Sequence, residues 1–479
     1  MRQSGFPAGR ETTVPTTPTR DSSFAEALAG KQVAVVGLQR SGLALARELA
    51  RRGAVVVGTD EKSCAELPAA VDEFARLGAT VHCGEDAYQG LCECDLIVVS
   101  PGVPIDKPAL AEARRQQIPV LGEVEFASRL TPNEIVAVTG TKGKTTTVSL
   151  LGAMLSAAGI ANRVCGNIGQ PLVGEVAAAA PAEVLVVEVS SFQLESTALF
   201  RPRHAAILNV ASDHQDRHAS FEEYVGAKLK LLHNQTAADR CYLSCDYPEL
   251  RQAGEGAVAP VTWLSVGRPL DAGAWVSSAD ELCCQLPQWE GVLCRTEDLK
   301  LLGRHNAGNA LFAAAVAFAH GASVDQVRSV LTSFAGVLHR LERVADVDGV
   351  TFWNDTMATT PFAAKAALEA MRGPTVIIVG GRAKTDDFAP LIDALSRLAK
   401  ATVCLGESGP ALAALARSAG VPRVEQASSL SAAVGAAFAA ASAGDNVLLS
   451  PACASFDMFR DYADRGEQFR QCVAALRGN

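Results

Sequence analysis

The chain has 479 residues, 48% hydrophobic and 20% charged, with a formal net charge of -9. That balance is typical of a globular protein and leaves room for roughly two to four domains of about 100–200 residues each. It excludes a broad electrostatic grip on nucleic acid or anionic membrane, so neither is expected as a partner and any phosphate site must be local.

The opening residues, rich in Thr, Pro and Ser, contain no apolar stretch of signal-peptide type, and residues 1–29 read as a flexible tail. No run of about 18 apolar residues follows, so no membrane span is expected. Of the 13 cysteines, Cys92/Cys94, Cys241/Cys245 and Cys283/Cys284 are the only close groupings and none has a partner pair at zinc spacing, so buried reduced thiols in a cytoplasmic protein are the expectation.

From residue 30 strand-like and helix-like segments alternate, the pattern of α/β domains with parallel sheets. A strand over Val33–Val36 meets Gly37, then Ser41 and Gly42, then an amphipathic helix and a second strand ending at Asp60. This is the layout of a nucleotide-binding βαβ unit, although Gln39 replaces the second glycine of GxGxxG. A further strand is expected in "LIVVSPGVP".

A second block begins near Gly122 and contains "AVTGTKGKTTTVSLL", Ala137–Leu151. An apolar strand, a glycine turn (Gly140, Thr141, Lys142, Gly143) and a helix opening on Lys144, Thr145 and Thr146 together make a phosphate cradle. Lys144 would reach the β- and γ-phosphates and the Thr145 hydroxyl would ligate Mg2+. Only two residues separate Gly140 from Gly143, against four between the glycines of GxxxxGK[ST], so a Gly-rich turn with surface lysines is the alternative.

Glu188 closes an apolar strand, where a carboxylate requires a metal or a lysine partner. His214, set among acids, suits metal binding or proton transfer, with a structural histidine as the alternative. Lys228 by itself reads as a solvated helix lysine. The stretch 257–299 is less patterned, with short strands and loops. An Ala-rich helix over 303–323 places Asn306 and Asn309 on one face, suited to an adenine edge or a metal-linked network, or, for Asn306, to a helix cap. A third block from about Val337 holds strands in "TVIIVGG", "ATVCLGE" and "NVLLSPAC".

Taken together, "TGTKGKTTT", "GNIGQPL", "EVSSFQLE", "ILNVASDHQDRH", "GRHNAGNA", "HRLE" and "NDT", in this order, resemble the Mur ligase family over nearly everything after the tail. The resemblance implies three α/β domains: an N-terminal Rossmann-like nucleotide-binding domain (30–122), a central P-loop ATPase-like domain with a parallel sheet (123–336) and a C-terminal Rossmann-like domain (337–479). It implies an ATP-dependent acid–amino-acid ligase that proceeds through an acyl phosphate. "EVSSFQLE" and the ending "SPACASFDMFRDYADRGEQF" resemble the branch that adds D-glutamate to UDP-N-acetylmuramoyl-L-alanine in cytoplasmic cell-wall precursor synthesis. The DNPR motif of the diaminopimelate-adding branch is missing.

By the same resemblance two Mg2+ ions are expected, held by Thr145, Glu188, His214 and a carbamylated Lys228, with Lys144, His214 and Lys228 as catalytic groups. Asn306, Asn309, Arg340 on the phosphates and Asp355 on the ribose would complete an ATP site closed by domain motion. Gly37, Ser41 and Gly42 would lie against the UDP pyrophosphate, Asp60 against the uracil and Asn167 against the muramoyl portion. Thr359, Lys384, Ser455 and Tyr462 would hold the acceptor, and a monomer is expected. The chain departs from the family at "NDTMATTP", where Met357 occupies a position that is often lysine; Arg382 is a candidate for the lost charge. A family ligase with another acceptor, including one like folylpolyglutamate synthase, is the nearest alternative. An ATP-dependent regulator or transporter subunit is the alternative from another class.

Overall fold

The computed structural model describes residues 22–211, 218, 220–301, 303–334, 336–383, 385 and 387–476. The chain forms two compact units. The first runs to Ser265 and includes Leu270–Ala274 and Ala315–Gly321; the second comprises Val266–Pro269, Trp275–Ala314 and the residues from Ala322 on. Three α/β domains with mainly parallel sheets lie within them.

In the first unit, β1 (Gln32–Val36), β2 (Val55–Asp60), β3 (Thr80–Cys83), β4 (Leu96–Val99) and β5 (Val120–Gly122) form a parallel sheet in the order β3-β2-β1-β4-β5. Strand order reverses between β1 and β4, and such a switch point opens a crevice at the carboxyl ends of the strands. The β1 and β4 residues are almost fully buried, as expected of strands covered on both faces. Residues 22–29, which composition assigned to the tail, belong instead to the folded unit. A short helix spans Ser22–Glu26, Phe24 packs edge-on against Phe126 with centroids 6.0 Å apart, and Leu28 is buried.

A second sheet follows, with β6 (Ile135–Thr139), β7 (Asn162–Gly166), β8 (Val184–Glu188), β9 (His204–Ile207), β10 (Arg240–Ser244) and β11 (Val261–Ser265). Within the first unit the order is β11-β10-β9-β6-β8-β7, and each pairing is parallel. The chain leaves β6 for the edge at β7, returns through β8 and crosses to β9. The carboxyl end of β6 is therefore a second switch point. The strands expected between 257 and 299 also include β12 (Gly273–Val276), β13 (Glu281–Leu286) and β14 (Trp289–Arg295), the last two forming an antiparallel hairpin in the second unit.

The third sheet joins β15 (Glu342–Val347), β16 (Val350–Asn354), β17 (Thr375–Gly380), β18 (Ala399–Leu405), β19 (Val424–Ala427) and β20 (Asn446–Leu449) in the order β15-β16-β20-β17-β18-β19. Only the β15–β16 hairpin is antiparallel. The ends of β16, β17 and β20 therefore bring "NDT", "GGR" and "SPAC" to one edge.

The cysteine expectation requires one correction. Cys64 and Cys83 form a disulfide with Cα atoms 5.4 Å apart, inside the range the bond requires. Cys64 follows β2 and Cys83 closes β3, so the parallel pairing of those strands brings together two residues 19 apart in sequence. The other eleven cysteines form no disulfide.

Candidate active site

The phosphate-loop sequence forms the turn expected of it. β6 delivers Gly140, and Gly143 caps the helix Lys144–Ala157 with φ of 86°, a left-handed conformation that favours glycine. Asn209 clamps the turn, accepting from the Lys142 N–H at 2.9 Å and donating to the Lys142 carbonyl at 2.9 Å. Thr141 Oγ1 accepts from the Ala211 N–H and from the Tyr224 hydroxyl, each at 3.0 Å.

Lys144 folds back over this turn. Its ammonium donates to the Gly140 carbonyl at 2.8 Å and to that of Thr141 at 3.1 Å. Lys228 is not the solvated lysine its helical context suggested. It is 1% exposed on the helix Phe221–Leu229, donates to the same Gly140 carbonyl at 3.1 Å and lies 4.3 Å from the Tyr224 ring centroid. Two lysines sharing one carbonyl concentrate positive charge where the helix N-terminus already favours an anion.

Beside them the buried Thr145 hydroxyl donates to Glu188 Oε2 at 2.7 Å. The other oxygen of Glu188 accepts from Asn167 Nδ2 at 2.8 Å. Glu188 ends β8, next to β6 in the sheet, so strand pairing brings Thr145, Asn167 and Glu188 together. Thr146 is buried in the first turn of the same helix. Oxygen donors beside a cationic phosphate cradle form a set chemically suited to Mg2+. His214 lies outside the described residues. The nearby His218 is buried, 3.1 Å from the Ser191 hydroxyl and stacked on Phe192 with centroids 5.7 Å apart.

The first crevice also contains its expected residues. Gly37 follows β1 with φ of 89°, and Ser100 donates to its carbonyl at 2.8 Å. Gly42 packs so closely that a Cβ there would come within 2.0 Å of the Gly37 carbonyl oxygen. Ser41 is the neighbouring residue in the same helix, Arg40–Arg51. Asp60 accepts from the backbone N–H groups of Leu38 at 2.9 Å and Lys62 at 3.0 Å, and so ties the glycine turn to the end of β2.

In the second unit, Asn309 donates to the side-chain oxygen of Asn306 at 2.8 Å, with both residues buried. Arg340 stands between His339 and Leu341, whose φ values of 68° and 42° are costly for non-glycine residues. Asp355 helps to hold this turn, accepting from the Leu341 N–H at 3.1 Å and from the Ser450 hydroxyl at 2.8 Å. Burial pushes the Asp355 carboxyl up to about 7, against the opposing effects of those hydrogen bonds and of Arg340. Of the four expected acceptor residues, Ser455 is buried, Thr359 partly buried and Tyr462 exposed, while Lys384 lies outside the described residues. Arg382 pairs with Glu407 at 3.0 Å and is 55% exposed, which identifies it as a surface ion pair.

Sequence reasoning missed Asn209, Tyr224 and Arg465. Arg465 is 1% exposed and donates to the Thr356 hydroxyl at 2.8 Å, to the Thr356 carbonyl at 3.0 Å and to the Cys453 carbonyl at 3.2 Å. It thereby joins the loop after β16 to the loop after β20. Burial lowers its affinity for a proton, to about 10. No local pattern identifies a buried arginine within "YADRGEQF"; only its neighbours in the fold do.

Three domain families match in chain order: the MurD-like N-terminal domain of Mur ligases over residues 31–122, the Mur ligase middle domain over 138–317 and the Mur ligase glutamate ligase domain over 339–453. The chain is 41% identical to the UDP-N-acetylmuramoylalanine--D-glutamate ligase of Pelotomaculum thermopropionicum over 447 residues, covering 93% of this chain and 98% of the relative. It is also 41% identical to the ligase of the same description from Acidobacterium capsulatum, covering 94% and 98%. The fold resembles that of the UDP-N-acetylmuramate-alanine ligase MurC of Thermotoga maritima, with a TM-score of 0.59 at 19% identity over 93% of this chain and 99% of that one. MurF ligase from Thermotoga maritima gives a TM-score of 0.56 at 16% identity, covering 94% and 95%. The phosphate turn, the order of the three sheets and the full-length identity agree: the chain belongs to the Mur ligase family.

Proposed function

We propose that the chain is an ATP-dependent ligase that joins the amine of D-glutamate to the carboxyl of UDP-N-acetylmuramoyl-L-alanine in cell-wall precursor synthesis. The observation that carries the reading is the phosphate turn, with Lys144 held across it and the Thr145–Glu188 pair at its side. Full-length identity to relatives of that description supports the choice of substrates.

The reaction brings a carboxylate to the γ-phosphate of ATP, so cation placement dominates its barrier. Lys144, with the N–H groups of the turn, neutralises charge on the transferred phosphoryl group. Thr145 and Glu188 would hold Mg2+, with His214 and a second ion as a further part of the proposal. Bound there, Mg2+ would screen the phosphate oxygens from the attacking carboxylate. The acyl phosphate formed is then open to the amine of the amino acid, and phosphate leaves.

Lys228 is proposed to be carbamylated. A buried ammonium beside Lys144 adds to like-charge repulsion, whereas a carbamate places an anion there and offers oxygens to a cation. Gly37, Ser41, Gly42 and Asp60 are proposed to take the UDP portion, and Asn167 the muramoyl portion. Asn306, Asn309, Arg340 and Asp355 are proposed to act on the nucleotide, and the strained turn around Arg340 supports a functional role for it. Thr359, Lys384, Ser455 and Tyr462 are proposed to hold the acceptor.

The test is phosphate release from ATP with UDP-N-acetylmuramoyl-L-alanine and an acceptor panel of D-glutamate, L-glutamate, D-aspartate and D-lysine. Release that requires both the UDP substrate and D-glutamate is expected. A preference for lysine would mean that Met357 marks a changed acceptor pocket.

A further inference from the structure

At the end of the second sheet opposite the phosphate turn, three side chains meet. Glu134 immediately precedes β6, His204 opens β9, and His320 follows the helix Arg304–Ala319. The β6–β9 register pairs Val136 with His204, which puts the histidine beside the start of β6. With β6 five residues long, this end lies roughly 17 Å from the phosphate turn.

The two imidazoles converge on one carboxylate oxygen. His320 Nε2 is 2.8 Å from Glu134 Oε1, and His204 Nε2 is 3.5 Å from the same atom. One nitrogen or oxygen from each residue lies within 4.8 Å of the others. The ring centroids are 4.6 Å apart. The outer nitrogens are already engaged. His320 Nδ1 faces the Val316 carbonyl at 2.8 Å, which accepts only, so Nδ1 carries the proton. His204 Nδ1 is 2.9 Å from the hydroxyl of the buried Tyr242. This is how protein metal sites orient histidine ligands, with the far nitrogen fixed and Nε2 turned to the ion. The histidine side chains are 8% and 9% exposed and that of Glu134 is 38%, so the site is walled on two sides and open on one.

We propose that Glu134, His204 and His320 form a binding site for a divalent transition metal, Zn2+ by its ligand chemistry, with water completing the coordination. Two imidazoles and a carboxylate suit Zn2+ and its neighbours in the first transition row, and do not suit Mg2+, which takes oxygen ligands. Burial above all, then His320, Arg203 and Arg240, disfavours positive charge on His204, and the Glu134 carboxylate opposes them. The ion would cross-link the starts of β6 and β9 to the segment after the long helix. Its distance from the phosphate turn makes it a brace, separate from the proposed ligase chemistry.

The test uses the full chain, stripped with a chelator and free of nucleotide, titrated with Co2+ alone and then with Zn2+ alone. One equivalent of Co2+ should give a visible d–d spectrum without a thiolate charge-transfer band, and Zn2+ should displace it and raise Tm. Glu134→Gln and His320→Gln should each weaken binding about 10-fold or more and remove the Tm response. If His320→Gln does not fold, Glu134→Gln, at the exposed ligand, decides alone. No d–d spectrum, a thiolate band, or equal affinity in Glu134→Gln would overturn the proposal and leave the cluster a hydrogen-bonded histidine pair.

Discussion

Lys144 and Lys228 donate to the same carbonyl oxygen, that of Gly140, at 2.8 Å and 3.1 Å. One lysine comes from the helix after β6 and the other from a helix 84 positions along the chain. Lys144→Ala should fold normally, because that side chain is only partly buried, and should lose turnover on the order of 10²-fold or more, as for loss of one preorganised electrostatic contact. Steady-state phosphate release checks this; a near-normal rate would remove the phosphate-turn reading.

The same relationship sets the expectation for Lys228. If the residue works as a carbamate, Lys228→Ala should be inactive and partly restored by a short carboxylate such as acetate, which would replace the missing anion. Mass spectrometry of the intact chain under bicarbonate provides a second readout. Full activity of the variant without additive would show that the lysine is only structural.

Glu188→Gln should weaken the dependence of activity on Mg2+. The amide still accepts the Thr145 hydroxyl and can be held through Asn167, so the fold survives, but the charge that would hold a dication is gone. The Mg2+ concentration for half-maximal rate should rise at least several-fold, measured at saturating ATP. An unchanged Mg2+ dependence would place the ion elsewhere.

Asp355 gives a pH prediction. Its carboxyl titrates near 7 in the folded chain, against an ordinary value of 3.8. The folded state therefore binds more protons than the unfolded state between these values, and the contribution of this group falls as pH rises from about 4 to about 7. Asp355→Asn removes the effect, so its stability relative to the parent should rise over that range, by on the order of a few kcal/mol, and level off above it. Melting curves of the two proteins at pH 5 and pH 7.5 supply the comparison. Glu123, pushed up to about 7 by burial in the first unit, acts with the same sign in both proteins and cancels.

Close packing at the first crevice separates two glycines. Gly42→Ala would place a Cβ 2.0 Å from the Gly37 carbonyl oxygen, whereas Gly174→Ala meets only the Ala44 methyl at 3.8 Å. The first should cost roughly 1–3 kcal/mol and raise the KM for the UDP substrate. The second should be neutral or gain up to about 1 kcal/mol from helix propensity. Thermal melting ranks the pair.

Much of the architecture was legible because its signals are local. Apolar strands ending in glycine, with a helix behind each, mark the alternating pattern, and the glycine-lysine-threonine turn can be read without a partner. The missed features depend on long-range pairing. Lys228 looks solvated in sequence because Tyr224, one helical turn earlier, and Gly140, on another strand, define its burial together. Cys64 and Cys83 meet only through the register of β2 and β3, and Arg465 becomes recognisable only when Thr356 and Cys453 lie beside it. Residues 22–29 were misread because Ser-rich composition outweighed two apolar anchors, Phe24 and Leu28.

The most direct test of the ligase reading is single-turnover chemistry with UDP-N-acetylmuramoyl-L-alanine oxygen-18-labelled in its carboxyl group, ATP and D-glutamate. One labelled oxygen should appear in the released phosphate, in step with formation of the new amide, and omitting the UDP substrate should abolish phosphate release. Unlabelled phosphate, or ATP turnover at full rate without the UDP substrate, would contradict it.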